Sequence, residues 1–239
     1  MLAIIGSRSE EISLLRSRSR IDAIENVERI RFYLGEINDT RILLADASAV
    51  EKGIVAAGGI GIDRFGADTV IFTGVAAPLV PYLQHGDMVV ADKLMQIGGR
   101  PETIPDEPQP DEEMSMIYAD TGLIQQVCQA YESLFSGKSN RPELVKGTVV
   151  SVDSDVFDRK SSGRLQREYG AIAVNKDGAS AARLCMMKRK PFLVMCTIAD
   201  PPAPTGRAPF DSHLSAFPPH MVDVLEAALT TARVEPAIR

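Results

Sequence analysis

The sequence predicts an α/β protein: a three-layer α/β/α arrangement around a mixed central sheet, in one domain spanning residues 1–239. Three observations carry this. Short, continuous apolar runs recur between stretches of helical period, the pattern of strands covered on both faces by helices. Residues 29–48 form two alternating strands around a turn, which puts antiparallel neighbours into the sheet. No linker divides the chain into two cores, because the segment 98–113 is flanked on both sides by elements of the same pattern.

In chain order, Leu2–Gly6 reads as a short buried strand. Ser9 stands where an N-cap would, with Glu10 and Glu11 in the first turn of a helix ending near Arg18. "RIRFYLGEI" and "RILLADAS" are the hairpin strands, joined by "NDT". A Gly/Ala-rich helix follows over about 50–65; four glycines within a helical period cost stability, which argues for close packing on the sheet. "DTVIFTG" (68–74) is a central strand, "HGDMVVAD" (85–92) another. Residues 98–113, with four prolines and six acids, form a loop. A helix at 119–135, a strand at 144–152, a short helix through "SSGRLQREY", the strand "GAIAV", a helix at 177–188 and the strand "FLVMCTIAD" (192–200) complete the alternation. A Pro-rich loop and a closing helix over 211–233 end the chain.

With 45% hydrophobic and 24% charged residues, the chain can build a large core. A net charge of −6 gives no global field favouring nucleic acid, and Lys188-Arg189-Lys190 reads as the cationic end of a helix. Three widely spaced cysteines suggest no disulfide framework and no zinc site; no metal or other cofactor is implied. The apolar stretch after Met1 is too short for a signal peptide, and no run approaches the ~18 residues of a membrane span. The expectation is a cytoplasmic protein in a reducing compartment, with no membrane or nucleic-acid partner.

Several apolar strands run into polar residues: the first into Glu10 and Glu11, the 68–74 strand into Thr73-Gly74, the 171 strand into Asn175-Lys176-Asp177, and the 192 strand into Asp200. If these strands are parallel, the groups gather along one rim, where open α/β sheets bind ligands. A cleft rich in carboxylates suits a cationic transition state such as glycosidic cleavage. Plainer roles are open to each: Glu11 as an acid at a helix N-terminus, Asp177 as an N-cap, Asp200 and Thr73-Gly74 as turn residues.

The segments "IIGSRSEEISLL", "DTVIFTGVAAPLVPYLQHGDMVVAD", "GAIAVNKDGASAARLC" and "PFLVMCTIAD", in this order and spacing, resemble the nucleoside phosphorylase/nucleosidase superfamily, in particular its methylthioadenosine/S-adenosylhomocysteine nucleosidase branch. The resemblance implies Asp200 as the acid that protonates N7 of the departing purine, and Glu11 as the base that activates water. It also implies Asp177 as the acceptor of the ribose hydroxyls and Phe157 as the aromatic that stacks on the base. A small-molecule nucleoside partner and assembly with itself, as a homodimer or larger homo-oligomer, follow by the same analogy.

The chain departs from the family pattern at several of these positions. Glu-Met-Glu is replaced by Asn175-Lys176-Asp177, the serine after Thr73-Gly74 by Val75, the next two glycines by Ala77-Pro78, and the last-strand arginine by Cys196. The arginine of phosphorylases falls at Phe72, so the cations and hydroxyls that hold phosphate are reduced, though Lys176 or Arg8 are available as substitutes. The resulting reading is a hydrolase acting on a purine nucleoside or 5′-modified adenosine derivative. A non-catalytic nucleoside-binding relative and a phosphate-dependent phosphorylase stand as alternatives.

Overall fold

The computed structural model describes residues 1–50, 52–97, 116–152, 159–199 and 219–231. The elements are β1 (Leu2–Gly6), α1 (Ser9–Ser17), β2 (Arg20–Val27), β3 (Ile30–Ile37), β4 (Thr40–Asp46), α2 (Gly53–Asp63), β5 (Thr69–Pro78), β6 (Met88–Ile97), β7 (Ile117–Tyr118), α3 (Thr121–Phe135), β8 (Leu144–Val152), α4 (Arg159–Tyr169), β9 (Ala171–Asn175), α5 (Gly178–Met187), β10 (Phe192–Ile198) and α6 (His220–Thr231). The expected loop at 98–113, the Pro-rich loop after residue 200 and residues 211–218 and 232–233 of the expected last helix lie outside the described residues.

β1 is buried along its whole length because it lies between two parallel neighbours, β4 and β5, and is contacted by both α1 and α2. β5 is likewise flanked by parallel β1 and β10, which is why its sequence is continuously apolar. From β4 the sheet continues outward through the antiparallel strands β3 and β2. On the other side it curls: β10 pairs antiparallel with β6, β6 parallel with β8, β8 parallel with β9, and β9 returns antiparallel to the end of β5. β5, β10, β6, β8 and β9 therefore form a closed ring within the mixed sheet.

β2 has no counterpart in the sequence reading. It is an edge strand, mostly exposed, and its charged residues leave no clear apolar face. Ion pairs of Arg20 with Glu36 and of Arg41 with Asp22 tie it to its neighbours. Its turn, Glu28-Arg29, is left-handed at both residues like the expected Asn38-Asp39 turn, but lacks the residue types that announce such a turn.

The glycines of α2 pack as anticipated. A Cβ at Gly58 would come within 2.8 Å of Leu184 on α5 and 3.2 Å of the Phe72 ring on β5. α2 and α5 contact one another, while α6 contacts both α1 and α3. At the end of α5, Lys188 pairs with Asp63 at 2.7 Å, so the basic cluster does sit at a helix C-terminus.

Candidate active site

β1 delivers the chain into α1 through Ser7 and Arg8. Ser7 N donates to Thr73 O at 3.1 Å, which fastens this corner to the middle of β5. Thr73-Gly74 is consequently not a strand end or tight turn: β5 runs on to Pro78 because β10 pairs with it as far as Ala76. Gly74 is required by close approach, since a Cβ there would lie 2.9 Å from Ser7 Oγ. The N-cap of α1 is Arg8 rather than Ser9; the Ser9 hydroxyl is instead held by Asp46 at the end of β4 and by Ser48, each at 2.8 Å.

Glu11 is buried beneath this corner. Its Oε2 accepts a 2.6 Å hydrogen bond from Thr73 Oγ1, and its Oε1 has no hydrogen-bond partner among the described residues. Burial pushes its carboxyl up to about 8, against the smaller opposing effects of the Thr73 hydrogen bond and the Arg8 charge. A carboxyl so placed is a functional candidate, because leaving an acid half-satisfied in the core has no structural benefit.

β9 runs antiparallel to β5, so the rim does not consist of parallel strand ends as the sequence reading supposed. The groups meet nonetheless, because the closed ring carries the end of β9 across to β10. Asn175 Oδ1 accepts from Ser151 Oγ at 2.6 Å and from Gly178 N at 3.2 Å, and Asn175 Nδ2 donates to Cys196 Sγ at 3.5 Å. Ser151 Oγ in turn accepts from Ala179 N at 2.8 Å. Asn175 and Ser151 thus do the capping of α5. Asp177 occupies the N-cap position, yet its side chain makes no capping hydrogen bond. Ser151 was not singled out in the sequence; its role appears only when β8 is paired with β9.

A cavity of about 860 Å³ opens over these elements, large enough for a nucleoside with a substituent. Thr73, Gly74 and Val75 form one wall, Asn175, Lys176 and Asp177 another, and Arg8, Ser9 and Glu10 a third. Lys52, at the start of α2, and Cys196 on β10 also line it. Six of the nine residues expected at the site thus line the cavity, and a seventh, Glu11, lies one hydrogen bond behind the wall through Thr73. Asp200 and Phe157 lie outside the described residues; the last one described before Asp200, Ala199, is anchored by its N–H to Ala76 O at 2.9 Å.

A profile of the Phosphorylase superfamily matches residues 1–232. The chain belongs to the phosphorylase superfamily. It is 27% identical over 219 residues to a 5′-methylthioadenosine/S-adenosylhomocysteine nucleosidase of Mycobacterium bovis, covering 83% of this chain and 85% of the relative. Among solved structures, the 5′-methylthioadenosine/S-adenosylhomocysteine nucleosidase of Neisseria meningitidis in complex with methylthio-immucillin-A shares the fold, with a TM-score of 0.81, 22% identity and coverage of 96% of this chain and 98% of that one. The futalosine hydrolase of Helicobacter pylori does so too, with a TM-score of 0.80, 22% identity and coverage of 96% and 97%.

Set against the superfamily pattern, two of the departures turn out to be one. Asn175 and Cys196, which the resemblance sets against a glutamate and an arginine, touch here. Both partners of this contact are neutral, so neither leaves an uncompensated charge in the core. Burial pushes the Cys196 thiol up to about 12, which keeps it neutral.

Proposed function

We propose that this chain is an N-ribosyl hydrolase that cleaves the glycosidic bond of a purine nucleoside or a 5′-modified adenosine derivative. The observation that carries the reading is Glu11: a buried carboxyl with one oxygen fixed by Thr73 and the other unpartnered, directly behind a nucleoside-sized cavity. In this reading Glu11 Oε1 takes the proton of the attacking water, and Asp177 accepts the ribose hydroxyls with its two oxygens. Asp200 protonates N7 so that the base leaves neutral, and Phe157 stacks on it. Thr73 holds the Glu11 carboxyl in position and favours its ionised form. The named activities of the Mycobacterium bovis and Neisseria meningitidis proteins support the same reaction class.

The test is release of free base from methylthioadenosine, S-adenosylhomocysteine, adenosine and inosine, with and without phosphate. Phosphate-independent release is the expected result, abolished in Asp200→Asn with nucleoside binding retained. An active Asp200→Asn protein refutes the proton-donor assignment, and strictly phosphate-dependent release refutes hydrolysis.

We also propose a homodimer. α2 presents Val55, Ala56, Gly59 and Ile60 half-buried, Gly59 faces open space, and the neighbouring α5 exposes Met186 and Met187, the latter at 74%. These apolar residues on two contacting helices suit burial against a second copy of the chain.

A further inference from the structure

Three polar strand residues stand side by side beneath α5. Gln96 on β6 is in register with Ser151 on β8, and Ser151 with Asn175 on β9. Residues paired across neighbouring strands point to the same face, so the three form one polar row, and α5 packs over β6 and β8. The row holds three consecutive residues of the helix in order. Asn175 Oδ1 accepts from Gly178 N at 3.2 Å, Ser151 Oγ from Ala179 N at 2.8 Å, and Gln96 Oε1 from Ser180 Oγ at 3.2 Å.

Ser151 is the centre of this row. It is fully buried, and its hydroxyl both accepts from Ala179 N and donates to Asn175 Oδ1 at 2.6 Å. Because Oδ1 accepts from Ser151 as well as from Gly178, the Asn175 amide is oriented with Nδ2 toward Cys196 Sγ at the cavity. The fit at this turn is close: a Cβ on Gly178 would collide with Asn175 Nδ2. Between the two held points, Asn175 and Gly178, run only Lys176 and Asp177, and both line the cavity. The backbone that presents them is therefore tied to the sheet through Ser151.

Building on the hydrolase reading, we propose that Ser151 is a positioning residue for the sugar. It lies behind the cavity wall and acts through Asn175 and the start of α5, fixing the turn from which Asp177 receives the ribose hydroxyls. Removing its hydroxyl orphans the buried Ala179 N–H and releases the Asn175 amide, so Asp177 is presented from a looser turn. The effect falls on recognition of the ribose and not on recognition of the base.

The experiment measures equilibrium binding of 7-deazaadenine, 7-deazaadenosine and 2′,3′-dideoxy-7-deazaadenosine, in which a carbon replaces the N7 that must be protonated for cleavage. Base release from methylthioadenosine and thermal stability are followed in parallel. The affinity ratio of the riboside to its dideoxy counterpart reads the contribution of the sugar hydroxyls. In Ser151→Ala this ratio is expected to fall about tenfold or more, with 7-deazaadenine affinity unchanged within about twofold. KM should rise more than kcat falls, and the pH–rate limb should stay where it is in the wild type. Ser151→Thr, which keeps the hydroxyl, should restore the ratio. Gln96→Met, at the part-exposed end of the row, should lower it by less, and it carries the same test if Ser151→Ala does not fold. Combining Ser151→Ala with Asp177→Asn should lower the ratio no further than Asp177→Asn alone, because the first residue acts through the second. A destabilised Ser151→Ala protein with the wild-type ratio makes the tie structural only and overturns the proposal. Equal losses for the free base and the riboside, or additive effects in the double variant, overturn it as well. The two readings fail separately: absent base release with the ratio falling in Ser151→Ala refutes only the hydrolase, whereas base release with an unmoved ratio refutes only the positioning role.

Discussion

At the scale of single residues, Glu11 has the most consequences. In its proposed role as base it works only when ionised, and burial pushes its carboxyl from the ordinary 4.5 up to about 8. The kcat/KM for hydrolysis should therefore climb with pH and level off above about 8. Thr73→Val, which removes a hydrogen bond that favours the ionised carboxyl, should move that limb to still higher pH and slow the reaction roughly 10- to 100-fold at neutrality. The same shift acts on folding. A carboxyl whose pKa is raised by folding stabilises the native state fully below pH 4.5, and that contribution is lost as pH rises through 8. Thermal melts of the wild type should fall over this window relative to Glu11→Gln, a variant expected to be inactive and more stable above pH 8. Coincident pH–stability curves for the two would mean that the carboxyl is not held in this environment. The Asn175–Cys196 contact makes a second residue-level prediction. Asn175→Glu or Cys196→Arg alone buries a lone charge and should cost several kcal/mol, about 3–5 by analogy with broken buried pairs. The double variant should recover part of that loss and, by placing a guanidinium near Glu11, draw the pH–rate limb to lower pH.

At the scale of elements, α2 shows why glycines recur in a helix, and its neighbouring glycines separate two causes. Gly58 is fixed by packing: a side chain there meets Leu184 and Phe72. Gly58→Val should destabilise by about 1–3 kcal/mol, readable as a fall in the denaturation midpoint. Gly59 meets nothing within 4 Å in the single chain. If no partner covered it, Gly59→Ala would stabilise the helix by about 0.5–1 kcal/mol. The strand elements that sequence made legible are the ones with two covered faces, such as β1 and β5, since continuous apolar runs identify themselves. β2 was not legible, because an edge strand is selected to be polar, and the two-residue β7 is too short to have a pattern. The start of β6 at Met88 rather than 85 reflects a turn in which Gln84 N and Glu143 N both donate to the Asp87 carboxylate, a long-range bond that no local pattern reports.

At the scale of the whole molecule, the alternation of strands and helices announced the layers but not the closure of the ring. Strand direction depends on which distant segments pair, and β9 reads the same whether parallel or antiparallel to β5. The candidate site was legible where a strand runs straight into its chemistry, as at Asn175-Lys176-Asp177. It was not legible where three helix starts only become neighbours in space, as with Lys52. The assembly is the level least accessible from one chain, and α2 provides its test. α2 carries the half-buried Val55, Ala56, Gly59 and Ile60, its neighbour α5 exposes Met186 and Met187, and the proposed dimer would bury them around its two-fold axis. Light scattering should give a mass twice that of the 25.9 kDa chain. Gly59→Arg, which adds a bulky cation where the single chain has room for it, should reduce this to the monomer mass with little change in far-UV circular dichroism. A dimer that survives Gly59→Arg would move the interface elsewhere, and the glycine would then need a different explanation from its neighbour's.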